Sequence, residues 1–181
     1  MEMVTTDNMG AQINKADIFS RLANEFNIKA DDLLVDIDDY SPEPIKNIVE
    51  ACEMCLKSLD NNISLIEDEH VFIVNLRKMA CIAIAGYKSL TGVGNIASEM
   101  TDLYRRKNAD YGNSFDESLN KYGVIASVVR ISDKVNRLVS LVCRNNQAQV
   151  NTESISDTFI DLANYSIMTL VWIESKSMNN E

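Results

Sequence analysis

The stretch "ESISDTFIDLANYSIMTLVWIE", residues 153–174, decides the fold. At about 100° per residue, its first half places Ile155, Phe159 and Leu162 on one face and acidic residues on the other, as in an amphipathic helix. After Asn164 the residues are apolar nearly all round, and a helix that is apolar on every face is buried. The stretch therefore predicts one long helix whose second half lies inside a helical bundle.

A second apolar seam precedes this helix. From Val124 to Arg144, apolar residues recur three and four positions apart, the spacing of a helix that packs along one face. These residues are Val128, Ile131, Val135, Leu138 and Val142. Further helices are predicted over roughly 17–28, 44–59, 68–90 and 95–108. No stretch alternates convincingly as a strand does, so we predict an all-α helical bundle.

Turn residues divide the chain. The acidic, proline-containing "VDIDDYSPEP" at 35–44 predicts a turn after the first helix. "DYGNS" at 110–114 predicts a second break, which Gly112 allows. We predict one compact globule with a flexible leader over 1–13, a helical N-terminal segment over 14–95 and a helical domain over 96–176.

Composition excludes some classes of partner. The chain has 181 residues, of which 46% are hydrophobic, and a formal net charge of −10. A net-acidic chain lacks the basic footprint of nucleic-acid binding, so we expect no direct binding to nucleic acid. The N-terminus has no signal-peptide pattern and no apolar run approaches the length of a membrane span. We therefore expect a cytoplasmic protein with no membrane partner.

Three acids, Glu153, Asp157 and Asp161, follow one another at four-residue spacing with no Lys or Arg between them. On a helix they lie on one face, where each like-charge pair costs a few tenths of a kcal/mol. The helix dipole offsets this cost mainly in the first turn, which does not include Asp161. Three explanations stay open: a solvated acidic face, a network of salt bridges, or a divalent-metal site, since hard cations take oxygen ligands from clustered carboxylates.

Basic residues suited to phosphate lie on the preceding helix. In "RISDKVNRL", residues 130–138, Arg130, Asp133 and Arg137 lie on one side, away from the apolar seam, and Asp133 can pair with both arginines in an ordinary surface ion network. Alternatively, Lys134 and Arg137 are able to hold phosphate, the arginine in a bidentate manner.

A third charged stretch is "EMTDLYRRKNADYG", residues 99–112. Glu99 and Asp102 share a helical face, a basic cluster follows, and Tyr111 lies beside the glycine break. Carboxylates, cations and an aromatic ring fit a nucleotide pocket. They also fit a charged helix whose basic end is favoured by the dipole.

Three ordered blocks resemble a known family. They are DYG at 110–112, DK-x-x-R at 133–137 and ESI-x-D-x-x-x-D-L-A-N-Y at 153–165. Together they resemble the nucleotide modification associated domain type 1, over roughly residues 97–172. That family occurs in bacteria and especially in bacteriophages, and it is linked to nucleotide and DNA-base modification. The resemblance implies a phage-type, nucleotide-acting protein in the host cytoplasm.

The acid-rich helices are also similar to all-α nucleoside triphosphate pyrophosphohydrolases of the MazG and dimeric dUTPase type. This similarity implies a MazG-like bundle that binds a nucleoside triphosphate, base-modified or not, through Mg²⁺ and hydrolyses it. It also implies a homo-oligomer, dimeric or larger.

The resemblance implies roles for individual residues. The implied metal ligands are Glu99, Asp102, Glu153, Asp157 and Asp161. The implied catalytic carboxylates are Asp133, Asp157 and Asp161. The implied substrate-binding residues are Lys107, Asp110, Tyr111, Lys134, Arg137 and Asn164, with the cations on phosphate and with Tyr111 and Asn164 on base or sugar.

Two other functions fit the same sequence. A non-catalytic module that sequesters a nucleotide signal from host defence would need arginines and aromatics but no clustered acids. An interaction protein would use its acidic face to dock onto a basic partner.

Overall fold

The computed structural model describes residues 14–38, 43–62, 69–144 and 154–179. These residues form seven α-helices and no strand, so the predicted all-α class is confirmed. The helices are α1 (Lys15–Asp38), α2 (Pro44–Asn62), α3 (Glu69–Thr91), α4 (Ala97–Tyr111), α5 (Ser114–Tyr122), α6 (Ile125–Leu138) and α7 (Ile155–Asn179). A π-helical turn, Val139–Cys143, continues α6. Within these ranges, no helix combines the length and apolar character that a membrane span requires.

The structure differs from the sequence-based predictions in two places, the end of one helix and the presence of another. Helix α1 continues to Asp38 and so includes the first four residues of the turn predicted over 35–44. Acidic side chains destabilise a helix only slightly. Pro42 disfavours the helical backbone conformation mainly at the residue directly before it. Helix α5 was not predicted at all, because it has only nine residues and follows a strong turn signal. The leader predicted over 1–13 lies outside the described residues.

Helix α7 is the central element of the bundle. It packs against α1, α3, α4 and α6, and its second half is buried on nearly every side, as the sequence predicts. The predicted seam is confirmed on α6, where Val128, Ile131, Val135 and Leu138 are buried, whereas Val142 lies on the π-helical turn and is only partly buried. Buried apolar side chains from all seven helices form one cluster. The division of the chain into a segment over 14–95 and a domain over 96–176 stays a prediction.

Helices α3 and α7 approach each other closely in the core. Gly86 of α3 faces the ring of Phe159, which is fully buried on α7. A methyl group on Gly86 would lie 2.5 Å from Cε1 of that ring, far inside van der Waals contact. Because Gly86 has no side chain, α3 and α7 can approach each other closely at this point.

Two glycines position α5 between α4 and α6. Gly112 ends α4 with φ 59° and donates its N–H to the carbonyl of Asn108. Gly123 ends α5 with φ 71° and donates to the carbonyl of Leu119. Both positive φ angles favour glycine. The side chain of Lys15 holds α5 from outside through Asp116 at 2.5 Å.

Alanine at position 86 tests the close approach. In an open helix, Gly→Ala stabilises by about 1 kcal/mol. Here the added methyl group overlaps a rigid aromatic ring, and overpacking of this kind costs about 1–3 kcal/mol. We expect Gly86→Ala to lower the free energy of unfolding, measured by urea denaturation.

Gly94→Ala is the matched control, because a methyl group there meets no atom within 4 Å and the backbone needs no left-handed conformation. It should unfold at the wild-type urea concentration or above. A Gly86→Ala protein as stable as wild type would show that α3 and α7 are not in close contact.

Candidate functional site

A cleft of about 800 Å³ opens between α4, α5, α6 and α7. Each of the four helices contributes four residues to its walls. They are Leu103, Tyr104, Lys107 and Asn108 from α4; Ser114, Phe115, Ser118 and Tyr122 from α5; Ile125, Ala126, Val129 and Arg130 from α6; and Asp161, Asn164, Tyr165 and Met168 from α7. The volume lies within the range of small-molecule sites.

Helical periodicity brings the α7 residues together. Asp161, Asn164, Tyr165 and Met168 are spaced i, i+3, i+4 and i+7, which places them on one face. The opposite side of α7 carries Phe159 and packs on α3. One helix therefore supplies both the core and a wall of the cleft.

Aromatic rings form one side of the cleft. The rings of Phe115 and Tyr165 lie 5.5 Å apart between centroids, with an interplanar angle of 42°. Tyr104 stacks on Phe19 of α1 at 4.4 Å and 8°. Burial raises the pKa of the Tyr104 hydroxyl, so this group remains protonated at neutral pH. The cleft thus offers aromatic surface held by the core rather than by mobile loops.

Asp161 is held by two lysines from other helices. Its Oδ2 accepts from Nζ of Lys134 on α6 at 2.9 Å, and its Oδ1 lies 3.7 Å from Nζ of Lys107 on α4. Asp161 is largely shielded, with 27% of its side chain exposed, whereas Lys107 is 52% exposed. For Asp161, the salt-bridge explanation of the acidic ladder is therefore the one that the structure supports.

Asn164 has an unpaired oxygen at the wall of the cleft. The residue is 8% exposed, and within the described residues its Oδ1 has no hydrogen-bond partner. A buried carbonyl oxygen without a partner costs about 1–3 kcal/mol. Because Oδ1 itself is inaccessible in the free protein, a ligand that presents a hydrogen-bond donor would recover this energy once the carboxamide turns toward the cleft. Asn164 was predicted as a substrate-binding residue, and it lies where such contact is possible.

Asp157 caps the first turn of α7. Its Oδ2 accepts from the backbone N–H and the hydroxyl of Ser154 at 2.9 and 2.8 Å. In return, the N–H of Asp157 donates to Oγ of Ser154 at 3.0 Å, which completes a reciprocal cap. The bond from the Ser154 backbone, followed by that from its hydroxyl, lowers the pKa of Asp157 below the ordinary 3.8. Its carboxylate therefore serves the helix terminus in this structure.

The other predicted site residues are dispersed. Four exposed acids, Glu99, Asp102, Asp110 and Asp133, do not line the cleft. Arg137 also lies outside the lining, where its Nε donates to Oγ1 of Thr158 at 3.1 Å and connects α6 to α7. Glu153 and the side chain of Tyr111 lie outside the part of the chain that the structure describes.

The predicted magnesium ligands do not fit a metal site within the described ranges. No three His, Cys, Asp or Glu side chains converge there into a group able to hold a metal ion. Asp157 is used in the cap and Asp161 by the two lysines, while Asp102 lies 3.4 Å from Arg105. We therefore derive no chemical step through Mg²⁺, and its involvement stays a prediction.

Sequence reasoning missed several residues of the cleft. The sequence predicts Arg130 only in a surface ion network, and it does not predict α5, the helix that carries Phe115. Tyr165 belongs to the block that resembles the family, but the sequence assigns it no role. A signal did exist for Arg130, because it precedes Lys134 by four positions and so shares its face. No local pattern could have indicated that Phe115 meets Tyr165.

Comparison with known families supports one of the sequence-based resemblances. Residues 107–173 match the family model of nucleotide modification associated domain 1, so this part of the chain is similar to that domain. All cleft residues except Leu103 and Tyr104 lie inside the matched range. No curated protein and no solved structure matches the chain. The similarity to MazG-type enzymes stays a prediction.

The cap on α7 makes stability depend on pH. Because the pKa of folded Asp157 is lowered, its stabilising effect is complete above the unfolded pKa and is lost as the pH falls through the folded pKa. We expect Asp157→Asn to lower the unfolding free energy by about 0.5–1 kcal/mol at pH 7. The difference from wild type should narrow below about pH 4, measured by urea denaturation across pH.

Ser154→Ala should give a similar loss at pH 7, since it removes the hydroxyl that donates to and accepts from Asp157. A difference between wild type and Asp157→Asn that stays constant from neutral to acid pH would contradict the cap.

Proposed function

We propose that this chain, whose residues 107–173 match nucleotide modification associated domain 1, binds a nucleotide in the cleft between α4, α5, α6 and α7. The observation that carries the proposal is the unpaired Oδ1 of Asn164, buried at the cleft wall. A site that leaves a polar atom unsatisfied in the free protein gains most from a ligand that pairs it. Nucleotide bases carry such donors on their edges.

The aromatic side of the cleft suits a base. Phe115 and Tyr165 present ring faces and edges, and base–aromatic stacking contributes about 1–3 kcal/mol per base. Met168 and Ala126 add apolar surface next to them. In this arrangement the base contacts the rings and Asn164 reads its edge.

The cationic side suits phosphate. Lys107 and Arg130 line the cleft on α4 and α6, and Lys134 lies beside it on Asp161. Lys107 is the more mobile partner of Asp161, because its contact is longer and its side chain more exposed. Its ammonium group can leave the carboxylate and bind a phosphate at a low cost in free energy.

Binding is better supported than hydrolysis. Cleavage of a triphosphate requires a group that activates water, which a metal commonly supplies. The described acids do not converge on the cleft, and Asp161 alone lines it. Mg²⁺-dependent hydrolysis, homo-oligomerisation and a phage origin remain proposals that the family match alone does not support.

The substitution Asn164→Leu tests the role of the unpaired oxygen. Asn164→Leu removes the unpaired oxygen, so the free protein should become more stable by about 1 kcal/mol. The same change removes the pairing group, so nucleotide affinity should fall about tenfold. Thermal unfolding and calorimetry with a panel of nucleotides measure the two effects, which have opposite signs.

Asn75→Leu is the matched control. Asn75 is also buried on a helix, but its Nδ2 donates to the carbonyl of Val71 at 2.8 Å and it lies outside the cleft. Nucleotide affinity should not change in this variant. If Asn164→Leu binds nucleotides as tightly as wild type does, the carboxamide does not contact the ligand.

Chelation separates binding from metal-dependent cleavage. We expect a nucleotide to bind in EDTA as well as in Mg²⁺, because the proposed contacts are side chains and rings. Pyrophosphate and phosphate release are followed in the same samples. Release that requires Mg²⁺ would establish the hydrolase, whereas binding in EDTA without release would establish a sequestering module.

A further inference from the structure

We infer that the cleft selects nucleoside monophosphates over di- and triphosphates, and that Asp161 is the residue that sets this selection. The inference rests on the proposed function, since it concerns the ligand of the same cleft. The inferred ligand is a monophosphate, whereas the sequence resemblance implies a triphosphate.

Few charges are available to neutralise phosphate. Among the cleft residues the charged side chains are Lys107, Arg130 and Asp161, and Lys134 joins them through its bond to Asp161. Three cations and one carboxylate leave a net charge of plus two. A phosphate monoester carries a charge of about −1.5 to −2 at pH 7, so a single terminal phosphate matches this charge.

Asp161 lies where additional phosphates would have to go. Its carboxylate is between Lys134 and Lys107, the two ammonium groups that a phosphate chain would approach. A second or third phosphate beside this carboxylate adds like-charge repulsion at short range, in a site partly shielded from water. The pair between Asp161 and Lys134 is short and mostly shielded, so the carboxylate is not easily displaced.

The end of the cleft lined by Tyr122, Ile125 and Val129 is exposed and apolar over most of its surface. A cation lies close to it, since Nζ of Lys121 is 5.0 Å from the centroid of the Tyr122 ring, but Lys121 does not line the cleft. Anionic phosphates gain nothing from apolar surface. A base or an apolar substituent fits that end, and one phosphate fits the other.

Calorimetry in EDTA with a nucleoside and its mono-, di- and triphosphate tests the selection. We expect the monophosphate to bind most tightly and the triphosphate about tenfold more weakly. Asp161→Asn removes the negative charge without changing shape. It should raise triphosphate affinity about tenfold and alter monophosphate affinity less. Asp60→Asn, which makes the same charge change on an exposed part of α2, should alter neither.

The outcomes separate this inference from the proposed function. A triphosphate that binds wild type more tightly than the monophosphate, or a nucleoside that binds as tightly, overturns the selection but leaves nucleotide binding in place. Triphosphate affinity that falls in Asp161→Asn identifies Asp161 as a ligand-holding group and also overturns it. If no nucleoside or nucleotide produces heat or a thermal shift, both proposals fail.

Discussion

The contact between Gly86 and the ring of Phe159 is the constraint on which the arrangement depends. A side chain at position 86 would force α3 away from α7, and these two helices form the most extensive contact of any pair in the bundle. With Phe159 fixed against α3, the opposite face of α7 is turned toward α4, α5 and α6. The position of Asp161, Asn164 and Tyr165 in the cleft therefore follows from packing on the far side of their own helix.

This arrangement explains how a rigid helix can carry a polar site. The second half of α7 is buried by apolar neighbours, which anchors the helix, while its first half carries the polar groups. The hydrogen bonds of Asp157 with Ser154 fix the beginning of the helix, and the Ser127–Thr169 contact between α6 and α7 adds a buried polar link. Side chains on such a helix keep their geometry better than side chains on loops do.

The fold was largely predictable from the sequence because apolar periodicity is a local property. Helices α2, α3, α4, α6 and α7 appear close to their predicted limits. The cleft was predictable only in part. Lys107 and Asn164 were identified through the resemblance, whereas Phe115, Tyr104 and Arg130 acquire their role from contacts between distant segments. Helix α5 lies between two glycines with positive φ, of which only Gly112 was indicated by the sequence, and its ion pair with Lys15 joins distant segments of the chain.

The acidic ladder shows why spacing alone could not determine its chemistry. Asp157 and Asp161 are four residues apart on one helix, yet one carboxylate is bound by its own helix terminus and the other by lysines from α4 and α6. The spacing does not reveal these partners. A serine hydroxyl and two ammonium groups from distant helices can satisfy a carboxylate as well as a metal cation can, so the same spacing fits either kind of partner. A carboxylate already paired within the protein repels an anionic ligand less than a free one, but it also occupies the cations that the ligand needs. The balance between these two effects, rather than the number of acids, decides how many phosphates such a cleft accepts.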